Sequence, residues 1–287
     1  MKTDAYGNPT DLKSNKPNSP FRYAGGKFYA RGLILKNLKN SHMYCEPFAG
    51  GASIFFAQKE HMNANWLNDY DEELINTYLQ IRDNLGGLSQ LLDGIKAKKE
   101  LHAFYKNEYK PTNDVERAFR WFYLNRTSYS GIMKAENCYW GYGDKYSMQP
   151  KNWVPHLRTV SDRLQSVKIT NIDFEEVIDS VDDGAMLFID PPYYNADQKK
   201  FYPCSFELAD HIRLMECLKR NNKRVNFLLT YDDSTEVREL YNWCKNIDAH
   251  SWNYTISRTD DQKSGKKLVD GHKSQRAKGN EIFLKNY

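Results

Sequence analysis

Two apolar runs, AMLFID (185–190) and RVNFLLTYDD (224–233), flank the segment ELADHIRLMECLKRNNK (207–223). Near-continuous apolar runs of this length belong to strands covered on both faces, and the segment between them carries apolar residues at helical spacing. Strand–helix alternation of this kind implies a parallel or mixed sheet. The expected fold class is therefore α/β, with helices on both faces of the sheet and its functional groups at the C-terminal ends of the strands.

The same rhythm opens the chain. MYCEPFAGGAS (43–53) reads as a short strand feeding a glycine turn, with IFFA able to start a helix. NWLNDYDEELINTYLQIRDN (65–84) reads as a second strand ending at Asp69, then a helix with Leu74, Ile75, Tyr78 and Ile81 on one face. SVKITNIDFEEVI (166–178) gives a third strand ending near Asp173, and EIFLKNY (281–287) a final one. Between the second and third strands the pattern turns helical, then rich in Gly, Tyr and Trp, with the look of turns or a hairpin. The expected organisation is a polar tail over 1–20, a catalytic domain over 21–84 and 168–287, and an insertion over 85–167.

Three stretches carry more chemistry than a fold requires. In EPFAGGAS (46–53), Gly50 and Gly51 let the backbone approach a ligand, and Asp69 follows at the next strand end. That arrangement suits a nucleoside cofactor whose ribose an acid holds. The turn has neither the full GxGxxG nor the GK[ST] of a P-loop, and a plain tight turn is the alternative. FRYAGGK (21–27) is a second glycine turn; it either joins the tail to the fold or forms a lid, with Tyr23 on a cofactor and Lys27 neutralising the cofactor's carboxylate. In LFIDPPYY (187–194) a buried strand ends in an acid, two prolines and two tyrosines. An exocyclic aromatic amine is a poor nucleophile because its lone pair is delocalised into the ring. Asp190 and the carbonyl of Pro191 are acceptors for its N–H groups, Pro192 fixes the corner, and Tyr193 offers a face on which an extruded base stacks. Packing is the expected role of Tyr194, and for the whole stretch the alternative is a strand ending in a Pro-rich turn whose tyrosines pack as ordinary half-buried aromatics.

Taken in order, FRYAGGK, EPFAGGAS, LNDYDEELINTY, FYLNRTSYSG, ITNIDF, LFIDPPYY and EIFLKNY resemble the Dam-type (D12 class, α group) DNA adenine-N6 methyltransferases from about Phe21 onward. The resemblance implies a Rossmann-like methyltransferase sheet, with S-adenosyl-L-methionine as donor, double-stranded DNA as substrate and no metal. It implies that Tyr23 and Lys27 belong to the N-terminal cofactor motif, and that Glu46, Pro47, Phe48, Ala49, Gly50 and Gly51 form the methionine-binding loop. Asp69 then holds the ribose, Asp173 and Phe174 clamp the cofactor's adenine, and Asp190, Pro191, Pro192 and Tyr193 are catalytic. The 85–167 insertion becomes the target-recognition region, with Asn125, Arg126, Tyr129 and Lys134 expected at DNA; the alternative, with Trp121, Phe122 and Tyr123 before them as core, is that about half of the group holds the hairpin in place. Lys134 stands where GATC-reading relatives carry arginine, and the two cations differ in their grip on guanine, so the resemblance does not fix the recognition sequence. The expected setting is the modification partner of a restriction endonuclease, or a phage or orphan enzyme. Alternatives are methylation of cytosine N4 or of RNA, and a DNA-binding relative that has lost catalysis.

The distribution of charge suits either a polyanionic partner or simply a solvated face and a flexible tail. The net charge is +4, yet the segment from Arg258 to Lys278 alone carries seven basic and three acidic residues, and residues 1–31 carry six and two. Counterion release rewards such clusters, so Lys263, Lys266 and Lys267 are expected along phosphates. The five cysteines are scattered without CxxC spacing, which points to reduced thiols. The start has no apolar signal core and no run is long enough to span a bilayer, so cytoplasmic residence is expected.

Overall fold

The computed structural model describes residues 17–195, 206–253 and 278–287, apart from Ala24, Tyr29, Glu60, His61 and Tyr146. Seven strands form one sheet: β1 (Met43–Glu46), β2 (Ala64–Asn68), β3 (Val167–Thr170), β4 (Met186–Ile189), β5 (Asn226–Asp232), β6 (Asn246–Asn253) and β7 (Lys278–Lys285). Their order across the sheet is β3-β2-β1-β4-β5-β7-β6. Strands β1 to β5 are mutually parallel, and β7 runs antiparallel to both β5 and β6. This is the expected Rossmann-like α/β sheet. From β1 the chain moves outward to β2 and β3, then returns to the other side of β1 as β4. The topological switch point, where such sheets bind ligands, therefore lies between the ends of β1 and β4.

Side-chain alternation assigns the apolar runs to two cores. Tyr44, Met186, Phe188 and Leu228 face one side, while Cys45, Leu187, Ile189, Phe227 and Leu229 face the other. Both sides are covered, so these runs lack the polar alternation of a half-solvated strand. The first side is covered by α1 (Arg31–Asn37), α2 (Ser53–Ala57), α3 (Glu72–Asp83), α4 (Leu85–Leu92), α6 (Asp114–Thr127) and α7 (Trp153–Leu164), and α5 (Lys99–Asn107) packs on α6. The second is covered by α8 (Phe174–Ser180), α9 (Leu208–Asn221) and α10 (Thr235–Leu240).

Helix α6 starts where the Asn113 side chain accepts the amide of Glu116 at 2.9 Å. From Trp121 to Thr127 every residue is buried, and Phe122 meets Trp153 of α7 edge-on at 5.6 Å. Residues of the 85–167 insertion thus share one continuous core with the sheet. Each fully buried large apolar side chain there contributes about 1.5–3 kcal/mol.

Of the turns or hairpin expected for the Gly/Tyr/Trp passage, the structure has turns, and among the described residues the passage forms no hairpin strands. It is closed by a single bridge, Ser128 to Trp140, flanked by bonds from the Tyr129 amide to the Tyr139 carbonyl (2.8 Å) and from the Gly141 amide to the Thr127 carbonyl (2.9 Å). Short 3₁₀ turns at Tyr129–Gly131 and Ala135–Asn137 occupy the expected hairpin arm. Strand β6, NIDAHSWN, had no sequence signal, because it is a polar edge strand held by its pairing with β7. Cys45, Cys138, Cys217 and Cys244 are buried free thiols, and Cys204 lies outside the described residues. Among the described residues, no helix is long and apolar enough to cross a membrane.

Candidate active site

The C-terminal ends of β1, β2, β4 and β5 bring together Glu46, Asp69, Asp190 and Thr230. Asp190 follows directly on β4, and its Oδ1 accepts two contacts: Lys27 Nζ at 2.8 Å and the Thr230 hydroxyl at 2.7 Å. Lys27 is only 5% exposed. Its ammonium also donates to the Gly25 carbonyl at 3.0 Å and lies 4.8 Å from the centre of the Tyr193 ring. The sequence reading gave Lys27 to a cofactor carboxylate; in the structure its carboxylate partner is Asp190. After the two prolines, Asp232 at the end of β5 fixes the chain. Its Oδ1 accepts the Tyr194 amide and its Oδ2 the Asn195 side-chain amide, both at 2.9 Å. Tyr194 packs on His211 at 5.1 Å, in line with a packing role. Tyr193 lies 6.0 Å from Tyr231, whose hydroxyl meets His211 Nδ1 at 2.5 Å.

The glycine turn between β1 and α2 is tied down at both ends. The Ala49 amide donates to the Asn68 carbonyl, and the Gly50 amide donates to Asp69 Oδ2, each at 2.8 Å. Asp69 Oδ1 accepts the Asp71 amide at 3.0 Å, so the acid expected at a ribose also locks the turn to the end of β2. Gly50 has φ +46°, and a Cβ on it would sit 2.7 Å from the Tyr23 ring. The missing side chain is what lets Tyr23 lie against the turn. Asp173 caps α8 by accepting the Glu175 amide at 2.9 Å, and it pairs with Arg213 at 2.9 Å. Phe174 stacks on Phe48 of the turn at 5.3 Å, so ITNIDF and EPFAGGAS, remote in sequence, form one aromatic wall.

Glu46 is buried to 1% exposure. Its Oε1 accepts the Tyr44 hydroxyl at 2.7 Å and the Phe55 amide at 2.8 Å. Burial pushes its carboxyl from 4.5 up to about 8, and the nearby Asp190 charge adds to the rise against those two hydrogen bonds. The folded protein therefore keeps a proton that the unfolded chain gives up between about pH 4.5 and pH 8. The resulting stabilisation is complete below that window and is lost as pH rises through it. Thermal melting from acid to mildly alkaline pH should show this loss in the wild type. Glu46→Gln, which has no proton to lose, should lack that component; parallel curves for the two proteins would refute the assignment.

The expected DNA contacts divide by burial. Tyr129 and Lys134 are partly exposed at the closed loop. Asn125 is fully buried, with its Oδ1 accepting the Arg22 amide at 2.9 Å and its Nδ2 donating to the Arg22 carbonyl at 2.7 Å. Arg126 is 7% exposed and reaches the Pro20 carbonyl at 3.5 Å, and burial lowers its guanidinium to about 10. Asn125 ties Arg22 of FRYAGGK to α6 and Arg126 reaches Pro20 just before it, so the structure makes both scaffold positions. Lys263, Lys266 and Lys267 lie outside the described residues. The sequence reading missed Thr230, Asp232 and Arg213. Thr230 had a signal, a hydroxyl in the otherwise apolar FLLTY run, but that residue type is also an ordinary strand former.

The profile of the family described as "D12 class N6 adenine-specific DNA methyltransferase" matches residues 23–256. The chain belongs to this family. It is 29% identical to the type II methyltransferase M1.LlaDCHI of Lactococcus lactis subsp. cremoris, covering 96% of this chain and 98% of that protein. It is 27% identical to the DNA N-6-adenine-methyltransferase of Escherichia phage P1, covering 82% of this chain and 33% of the phage protein. It is 23% identical to the DNA adenine methylase of Escherichia coli (strain K12), covering 80% and 86% of the two chains. In this D12-class chain the Asp190-Pro191-Pro192-Tyr193 corner stands at the end of β4, beside the switch point.

Proposed function

We propose that the chain transfers a methyl group from S-adenosyl-L-methionine to N6 of an adenine swung out of duplex DNA. The observation that carries this reading is the placement of Asp190, pinned by Lys27 and Thr230 at the β1/β4 switch point beside the glycine turn. The residues present fit the donor. Its sulfonium and ammonium are cationic. Glu46 ends β1 and Asp190 follows β4, its neighbour in the sheet, and a bound cation beside Glu46 would favour release of the proton that burial holds there. Gly50 leaves room for close approach to the backbone. In this reading the loop Glu46, Pro47, Phe48, Ala49, Gly50 and Gly51 holds the methionine part with Tyr23 above it. Asp69 holds the ribose, and Asp173 and Phe174 face the adenine ring. When bound, the donor supplies an electrophilic methyl group.

The protein's own groups prepare the amine. Asp190 and the Pro191 carbonyl accept its two N–H bonds and draw the nitrogen toward tetrahedral geometry, which frees the lone pair. Pro192 holds the corner, and Tyr193 stacks on the base; an enzyme acting on this atom cannot reach it inside the helix. The amine so held would take up the methyl group that the bound donor supplies, and its surplus proton would leave along the hydrogen bond to Asp190. Tyr129 and Lys134, partly exposed at the closed loop, are offered to DNA, and the basic 258–278 segment lies along phosphates. The action is on DNA in the cytoplasm, as the modification half of a restriction system or as a phage or orphan enzyme.

Sequencing of modified bases in DNA from cells expressing the chain tests this directly. N6-methyladenine in one sequence context is expected; N4-methylcytosine, or unmodified DNA, would overturn it. Replacing Lys263, Lys266 and Lys267 by glutamine should reduce the slope of log K against log salt by up to about three, close to one for each phosphate no longer neutralised. An unchanged slope would remove that segment from the interface.

A further inference from the structure

Thr230 is completely buried in β5, where β4 pairs with β5 through Ile189 and Leu229, so it falls opposite Asp190. Its single hydroxyl proton has two acceptors within reach, the Ile189 carbonyl at 3.4 Å and Asp190 Oδ1 at 2.7 Å. The shorter contact, made to a charged oxygen, is much the stronger. Lys27 Nζ approaches the same Oδ1 at 2.8 Å. Among the described residues, both donors fall on Oδ1 and none on Oδ2.

We infer that Thr230 is a positioning residue for methyl transfer: together with Lys27 it saturates Oδ1 and turns Oδ2 of Asp190 toward the adenine amine. This rests on the function proposed above. A carboxylate held by Lys27 alone keeps its charge but is free to rotate about the axis of that contact. Its second oxygen is then no longer fixed where the N–H must point. A reacting geometry displaced by about 1 Å costs up to roughly 100-fold in rate. Thr230 is completely buried and its hydroxyl is committed to Asp190, so its loss should leave binding of cofactor and DNA intact.

The test compares Thr230→Val, which keeps the branched shape without the hydroxyl, with Thr230→Ser, which keeps the hydroxyl without the methyl. Single-turnover methyl transfer to duplex DNA is measured alongside dissociation constants for S-adenosyl-L-methionine and DNA. Thr230→Val should lose roughly 10- to 100-fold in rate with both dissociation constants within about twofold of wild type, and Thr230→Ser should recover most of that rate. Equal rates for wild type and Thr230→Val would overturn the inference. So would a serine variant as slow as the valine one, since packing would then explain the loss. If Thr230→Val fails to fold, the serine variant decides: near-wild-type rate supports the hydroxyl, and a tenfold or greater loss refutes it. A wild-type protein unable to methylate adenine would sink the proposed function itself, a result separate from either variant's behaviour.

Discussion

Asp190→Ala should reduce methyl transfer by about a thousandfold or more, because the variant loses the acceptor on which the amine's reactivity depends. Tritium from labelled S-adenosyl-L-methionine, counted in duplex DNA, is the measurement, with both binding constants as controls. Asp190→Asn separates charge from shape: it fills the same space, but its amide no longer offers the charged acceptor. Both variants should bind DNA. Their melting temperatures should fall as well, because Lys27 is 5% exposed and would lose the carboxylate it pairs with. Methylation at the wild-type rate by either variant would disprove the mechanism.

Gly131→Ala should be among the most destabilising single changes in the insertion. Gly131 has φ +72°, and a Cβ there would lie 2.2 Å from the Arg22 carbonyl oxygen, a backbone atom that no rotamer change can move aside. The left-handed conformation alone costs about 1 kcal/mol for alanine. With the clash added, about 3 kcal/mol or more is expected, a fall in melting temperature on the order of 10 °C. The Arg22 peptide is also gripped by Asn125, and the same segment leads to Lys27 and its contact with Asp190. Gly131→Ala should therefore slow methyl transfer even well below its melting temperature. Scanning calorimetry and a single-turnover assay read the two effects, and an unchanged melting temperature would show that Arg22 does not pass so close.

These effects mark how far the sequence could be read. FRYAGGK, EPFAGGAS and LFIDPPYY were visible as sites because each combines a backbone device, glycine or proline, with groups that folding does not require. Their partners were harder to see. The carboxylate for Lys27 lies on a strand end more than half the chain away, and no local spacing reports a contact of that separation. Asn125 and Arg126 look like exposed polar residues in LNRTSYSG, but α6 is buried on all sides at that point and uses them to hold Pro20 and Arg22. Strand β6 was illegible because its edge position leaves it polar.

The sequence by itself determined the α/β alternation, the order of the motifs and the acid–proline corner at the end of β4. These follow from local periodicity and from residues whose backbone restrictions act wherever they stand. Only the tertiary structure decided that β1 and β4 are neighbours, that Asn125 faces inward, and that Lys27 and Thr230 meet on one oxygen of Asp190. Those outcomes depend on strand order and on contacts across the sheet, where burial and the geometry of a shared acceptor choose among partners that the linear order leaves equivalent.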